Sequence, residues 1–116
     1  MSHAFHLQPL VHLSQQKNEA ATKKLGLLNR HLQAAQSKLD MLHQYRKDYQ
    51  AKMQEAEKSG MALQDLCNFQ DFIYRLDDAI AQQIIAITQA QISLQKGRGE
   101  FTDEVLLQSK SFWMLL

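Results

Sequence analysis

Side chains able to do chemistry are few in this chain, and their spacing does not set them up to work together. His3 and His6 are the first candidates. An N-terminal X-X-His run can hold Cu(II) or Ni(II) in a square plane. Small Ser2 invites removal of Met1, which destroys that spacing, and no carboxylate or thiol stands nearby. His31 and His43 fall on the flanks of a helical seam described below and read as solvated surface histidines. Cys67 has no neighbouring histidine and sits on a helix flank, so a small packing residue is expected there rather than a nucleophile. Asp77 and Asp78 are adjacent; on a helix, neighbours point in different directions and do not form an acid–base pair. The KGRGE run, Lys96 to Glu100, lacks both the lysine position and the preceding strand of a phosphate loop. The expectation is a protein that binds rather than catalyses, with no catalytic residue, metal ligand or cofactor site.

Composition points the same way. The 116 residues suffice for at most one domain. Thirteen basic and 12 acidic residues leave a formal charge of +1, so no bulk field attracts nucleic acid or a membrane surface. Proline occurs once, at Pro9, and glycine four times, while glutamine is abundant. Few breakers among many straight-chain residues predict long helices and little loop. No apolar run approaches the roughly 20 residues of a membrane span. The opening MSHAFHLQPLVHLSQ lacks the apolar block of a signal peptide. A lone cysteine excludes an intrachain disulfide and fits a reducing compartment.

The elements follow from periodicity. Between Leu66 and Ile87, the residues Leu66, Phe69, Ile73, Leu76, Ile80, Ile84 and Ile87 recur three or four apart, a stripe down one side of a helix. β-Branched Ile73, Ile80 and Ile87, seven apart, mark a coiled-coil seam that needs a partner helix. The first half of the chain offers one. Leu25, Leu32, Leu39, Arg46 and Met53 hold one seam position; Leu28, Ala35, Leu42, Tyr49 and Ala56 hold the other. Upstream, Leu10, Leu13, Lys17 and Ala20 keep the spacing one residue out of step, which reads as a local phase shift. Ser59 and Gly60 break the two segments, with Ser59 as a cap for the helix that follows. The fold class predicted is all-α: one long antiparallel two-helix coiled-coil hairpin over residues 1–116. Helix 1 spans about 8–57, the turn about 58–62, and helix 2 about 63–113, weakened near Gly97 and Gly99. Paired residue numbers should sum to about 122, because a sum of 115 leaves no residues for a turn. The seam should be half-buried throughout.

Two strings then carry a resemblance. Phe5 to Tyr49 contains Phe-x-Leu-Gln-Pro-Leu, then Glu-Ala-Ala followed by Leu-Gly, then Leu-x-x-Leu-x-x-Tyr-Arg-x-x-Tyr. The second string is Asn68-Phe69-Gln70-x-Phe72-Ile73-x-x-Leu76-x-x-Ala79-Ile80. Together, over about residues 5 to 96, they resemble the FliJ family of the bacterial flagellum. The resemblance implies an antiparallel coiled coil similar to the central stalk of rotary ATPases. It implies a soluble part of the flagellar type III export apparatus, needed for flagellum assembly, motility and chemotaxis. The partners it implies are the hexameric export ATPase, the cytoplasmic domain of the membrane export gate, and export chaperones. The implied location is cytoplasmic, peripheral at the cytoplasmic face of the cell membrane. Family members usually continue with a basic, Trp- and Arg-containing stretch; here the chain departs after Lys96.

The partner surface is expected at Phe72, Leu76, Phe69 and Tyr45. Arg46 falls opposite Leu76 in the seam, so its charged head must swing out and leave Leu76 partly exposed. Phe72 and Tyr45 lie on the flank there, with Phe69 behind. The resemblance adds that the Phe72…Leu76 pair is where FliJ-like proteins engage the gate. Two other classes compete. One is a generic coiled-coil adaptor or self-associating rod. The other is an amphipathic membrane-surface protein, which wants a Lys/Arg-rich face; helix 2 has only Arg75 between Asp65 and Lys96.

Overall fold

A computed structural model describes the backbone of residues 2–115 and the side chains of residues 8–110. His3, His6 and the terminal FWMLL lie outside the described side chains. The chain forms two helices, α1 over Ser2–Lys58 and α2 over Leu63–Leu115, joined by a tight turn into an antiparallel hairpin. Helix α1 starts earlier than the sequence suggests and carries Pro9 inside it. A proline there costs one backbone bond, which the many following turns outweigh.

The turn depends on one conformation. Gly60 takes a φ of 82°, a region that costs a residue without Cβ nothing. Ser59 does not cap α2. Its backbone N–H donates to the carbonyls of Glu55 and Ala56, and its hydroxyl donates to Glu55, so it closes α1. The first turn of α2 is instead held by the Ala62 carbonyl, which accepts from Asp65 and Leu66.

The chain divides into two compact units, Leu32–Ala90 and the paired ends Met1–His31 with Gln91–Leu116. In the Leu32–Ala90 unit the core is Ile73, Leu76, Ile80, Ile87 and Ala90, each 3–9% exposed. Gln83 joins them at 9%, while Ile84 is 48% exposed. The stripe therefore runs through the glutamine and leaves out the isoleucine, the reverse of the pattern of apolar residues. Continuous spacing of three and four from Ile80 through Gln83 to Ile87 and Ala90 requires it. The buried amide is satisfied: Gln83 Nε2 donates to the Ala35 carbonyl at 2.9 Å.

Burial is lopsided. Leu32, Ala35, Leu39 and Leu42 on α1 are half-buried, whereas the α2 positions they pack against are buried. This departs from an evenly half-buried seam: α1 carries long Lys38, Tyr45 and Lys52 beside its seam positions, and α2 carries short Ala79 and Ala86.

In the unit of paired ends the seam on α1 is Val11, Ser14, Asn18 and Ala21, all half-buried, with Leu10 and Leu13 at 42% and 47% exposure. The phase shift does not occur. A shift would have to over- or underwind a helix whose register the ten seam residues from Leu25 to Ala56 already fix, and the seam accepts polar residues instead. Helix α2 also runs unbroken through Gly97 and Gly99. Gly97 is buried on the seam, where an added Cβ would lie 2.7 Å from Leu28 Cδ1 and 3.4 Å from Leu25 Cδ2. The glycine admits two leucines. Contacts give the register: Arg46 meets Asp77 and Tyr49 meets Phe72, numbers summing to 123 and 121. In the other unit Lys24 meets Glu100, summing to 124. These bracket 122 and exclude 115.

Two outcomes are expected. Ile80→Ala should cost about 3 kcal/mol, and half-buried Leu39→Ala only about 1–2; thermal melts that rank them equally would contradict the lopsided seam. Gly99→Ala, with open space around its Cβ, should gain about 0.5–1 kcal/mol of helix propensity. Gly97→Ala should gain nothing, because the Leu28 contact offsets that term.

Candidate functional site

Arg46 stands at a seam position where an apolar residue would close the layer. Its guanidinium leaves the seam sideways. Nε donates to Asp77 Oδ1 at 2.5 Å, Nη2 to Asp77 Oδ2 at 3.4 Å, and Nη1 to Gln50 Oε1 at 3.1 Å. The Asp77 carboxyl is held below its ordinary range by this hydrogen bond and by the positive charge, with partial burial working against them. Arg46 is shifted upward, first by the hydrogen bond and then by the charge of Asp77. With the head accommodated, the layer closes and Leu76 is 8% exposed. The expectation of a partly exposed Leu76 is therefore corrected: Arg46 tethers to the flank, and its departure leaves no gap.

The aromatic residues do assemble. The Tyr49 ring sits 5.0 Å from Phe69 and 4.4 Å from Phe72, both tilted, at distances where ring pairs attract beyond their buried area. Phe69 is half-buried, Phe72 is 41% exposed and Tyr45 56% exposed. Of the four residues read from the sequence, Phe72 and Tyr45 face solvent, Phe69 supports Phe72 through Tyr49, and Leu76 belongs to the core. Tyr49 is the residue the site reading missed. Its seam position and a sum near 122 with Phe72 were the available signal. Asp77 was missed similarly; it is the flank partner that a sum of 123 assigns to Arg46.

The unit of paired ends has a more open seam. Asn18 Oδ1 and Gln108 Nε2 are buried without a hydrogen-bond partner. A groove of about 260 Å³ lies between Lys17, Ala20 and Lys24 on α1 and Gly97, Glu100 and Phe101 on α2. Lys24 Nζ donates to Glu100 Oε2 at 2.8 Å, which lowers the Glu100 pKa. Cys67 is exposed. Among the described residues no three His, Cys, Asp or Glu side chains converge, and no helix is long and apolar enough to cross a membrane.

Two helices that bury one shared seam and turn aromatic and charged flanks outward define an antiparallel coiled-coil hairpin. The family model described as "Flagellar FliJ protein" matches residues 3–110, well past Lys96, so the resemblance extends over the stretch that departs from the familiar strings. The chain belongs to this flagellar FliJ family. A relative, the flagellar FliJ protein of Salmonella typhi, is 31% identical over 83 residues, covering 72% of this chain and 56% of the relative. The chain thus spans little more than half the length of that protein. No solved structure matches it.

The ion pairs carry a pH dependence. A carboxyl whose pKa is lowered on folding contributes stability above its unfolded value and loses it as pH falls through the folded value. The melting temperature should therefore fall as the pH drops below about 5, as carboxyls with ordinary pKa near 4 protonate. Asp77→Asn should flatten part of that fall, and an unchanged profile would show that the pair does not survive in solution.

Proposed function

We propose that this chain is a component of the flagellar protein export apparatus, a stalk-like hairpin that links the export ATPase ring to the cytoplasmic domain of the export gate and handles export chaperones. It works at the cytoplasmic face of the membrane. The observation that carries the reading is the family match over residues 3–110. The arrangement around Tyr49 supports the gate contact. Phe72 stands out from the hairpin, braced from behind by Tyr49 and Phe69, with Tyr45 exposed nearby. A braced aromatic presents its area with little entropy left to lose, which suits an anchor residue. Leu76 contributes from beneath, as the buried residue one turn further along α2. The role is mechanical: the hairpin positions partners, and no group on it is asked to react.

Phe72→Ala should weaken capture of this chain by the purified gate domain at least about fivefold, the loss of a hot-spot contact above 1 kcal/mol. Binding to the ATPase and the helical spectrum should stay nearly unchanged. Leu76→Met, which preserves core volume, should leave gate binding close to wild type. Unaltered gate capture by Phe72→Ala would sink the assignment. A stable self-associating rod with no affinity for either partner would sink the export reading as a whole.

A further inference from the structure

Along the paired ends the seam changes character part way. Leu25 and Leu28 on α1 stand over Gly97, and Leu94, one turn before it, is 6% exposed. The next layer is Ala21 with Phe101, both half-buried. Beyond it the seam turns polar. The register sets Asn18 level with Glu104 and Ser14 level with Gln108. All four are half-buried, and neither layer holds an apolar side chain. Asn18 Oδ1 and Gln108 Nε2 are buried without a hydrogen-bond partner, and among the described residues no ion pair answers Glu104. Polar groups shut away without partners recover their desolvation cost when water reaches them. These layers favour water over each other.

Among the described residues one side-chain link crosses between the helices of this unit, Lys24 Nζ to Glu100 Oε2 at 2.8 Å, and it lies inward of Phe101. We propose that the paired ends form a fork. Outward from Ala21 and Phe101 the two helices separate and reclose, while the leucine layers inward of the Lys24–Glu100 link stay shut.

Little opposes such opening. Parting the two polar layers exposes no apolar knob from either helix, so the hydrophobic term that holds a seam has nothing to act on there. Each arm continues a much longer helix, α1 from Ser2 and α2 to Leu115, and so stays helical without a new nucleus. The groove of about 260 Å³ between Lys17 and Lys24 on one wall and Glu100 and Glu104 on the other already reaches Ala21 and Phe101. The odd residues of the Leu32–Ala90 seam differ in kind. Gln83 and Arg46 each have a bonded partner there, so that seam stays closed. Open, the fork offers Leu10 and Leu13 on one arm and Val105, Leu106 and Leu107 on the other as separate apolar edges. A partner that grips one arm holds the fork open, and one that spans both holds it shut. The inference goes beyond the export reading and uses no residue of the Phe72 patch.

The test uses the full chain with Cys67→Ser, spin-labelled in pairs and read by pulsed electron paramagnetic resonance. Glu19→Cys with Val105→Cys reports the fork, and Asp40→Cys with Ile84→Cys holds the equivalent register in the Leu32–Ala90 unit. All four positions are exposed, so the labels displace no seam residue. The control pair should give one short distance. The fork pair should give a broad distribution with a second, longer population. Asn18→Leu with Glu104→Leu should lower the ratio of long to short populations at least about tenfold, because a buried leucine pair supplies the missing apolar layer. Glu100→Gln should raise that ratio. Helical circular dichroism should be the same for the wild type and the leucine variant, since the arms part as helices. A fork pair as narrow as the control overturns the proposal. So does a broad distribution that the two leucines leave unchanged, or a gain of helicity in the leucine variant, which would mean frayed ends. A long population that vanishes on dilution with unlabelled chain would be contact between copies and overturns it as well.

Discussion

A helix that buries a single stripe has no interior of its own, and each helix here supplies the other's. That shared seam is the constraint from which the other features follow. Its spacing of three and four continues along both helices within each unit, and residues poorly suited to it must occupy it anyway. Each is accommodated locally. Gln83 gives its amide to the Ala35 carbonyl, Gly97 yields its space to Leu25 and Leu28, and Arg46 sends its charge to Asp77. A buried polar group with a partner is tolerable, whereas one without costs its full desolvation, so these partners are what keep the stripe continuous. Asn18 and Gln108 lack such partners, and their unit has the open groove.

Continuity of the seam also decides which residues remain outside. Because Gln83 is in, Ile84 is out; because Val11 and Ser14 are in, Leu10 and Leu13 are out. Surface character is thus fixed by register more than by hydrophobicity. The apolar side chains that register excludes stay on the surface.

The aromatic group fits the same logic. Tyr49 holds a seam position too large for a simple knob, and its ring reaches Phe69 and Phe72. A half-buried seam residue thereby packs against an exposed one. That surface belongs to a chain of the flagellar FliJ family.

By itself the sequence determined two helices, a turn at Ser59–Gly60, an antiparallel pairing with a sum near 122, and a family. Each is local or periodic: helix type follows from spacing, the turn from breakers, the register from the length left for a turn. The tertiary structure alone decided which of two neighbouring series is buried. One residue of rotation separates Leu10 and Leu13 from Val11 and Ser14, and local apolarity favours the wrong pair. The partner helix breaks that tie, since it fixes a register that the upstream turns then inherit through a stiff backbone. Leu76 shows the same limit. Arg46 opposite it suggested an open layer, and only the position of Asp77 across the interface, with a carboxylate to receive the guanidinium, closed it.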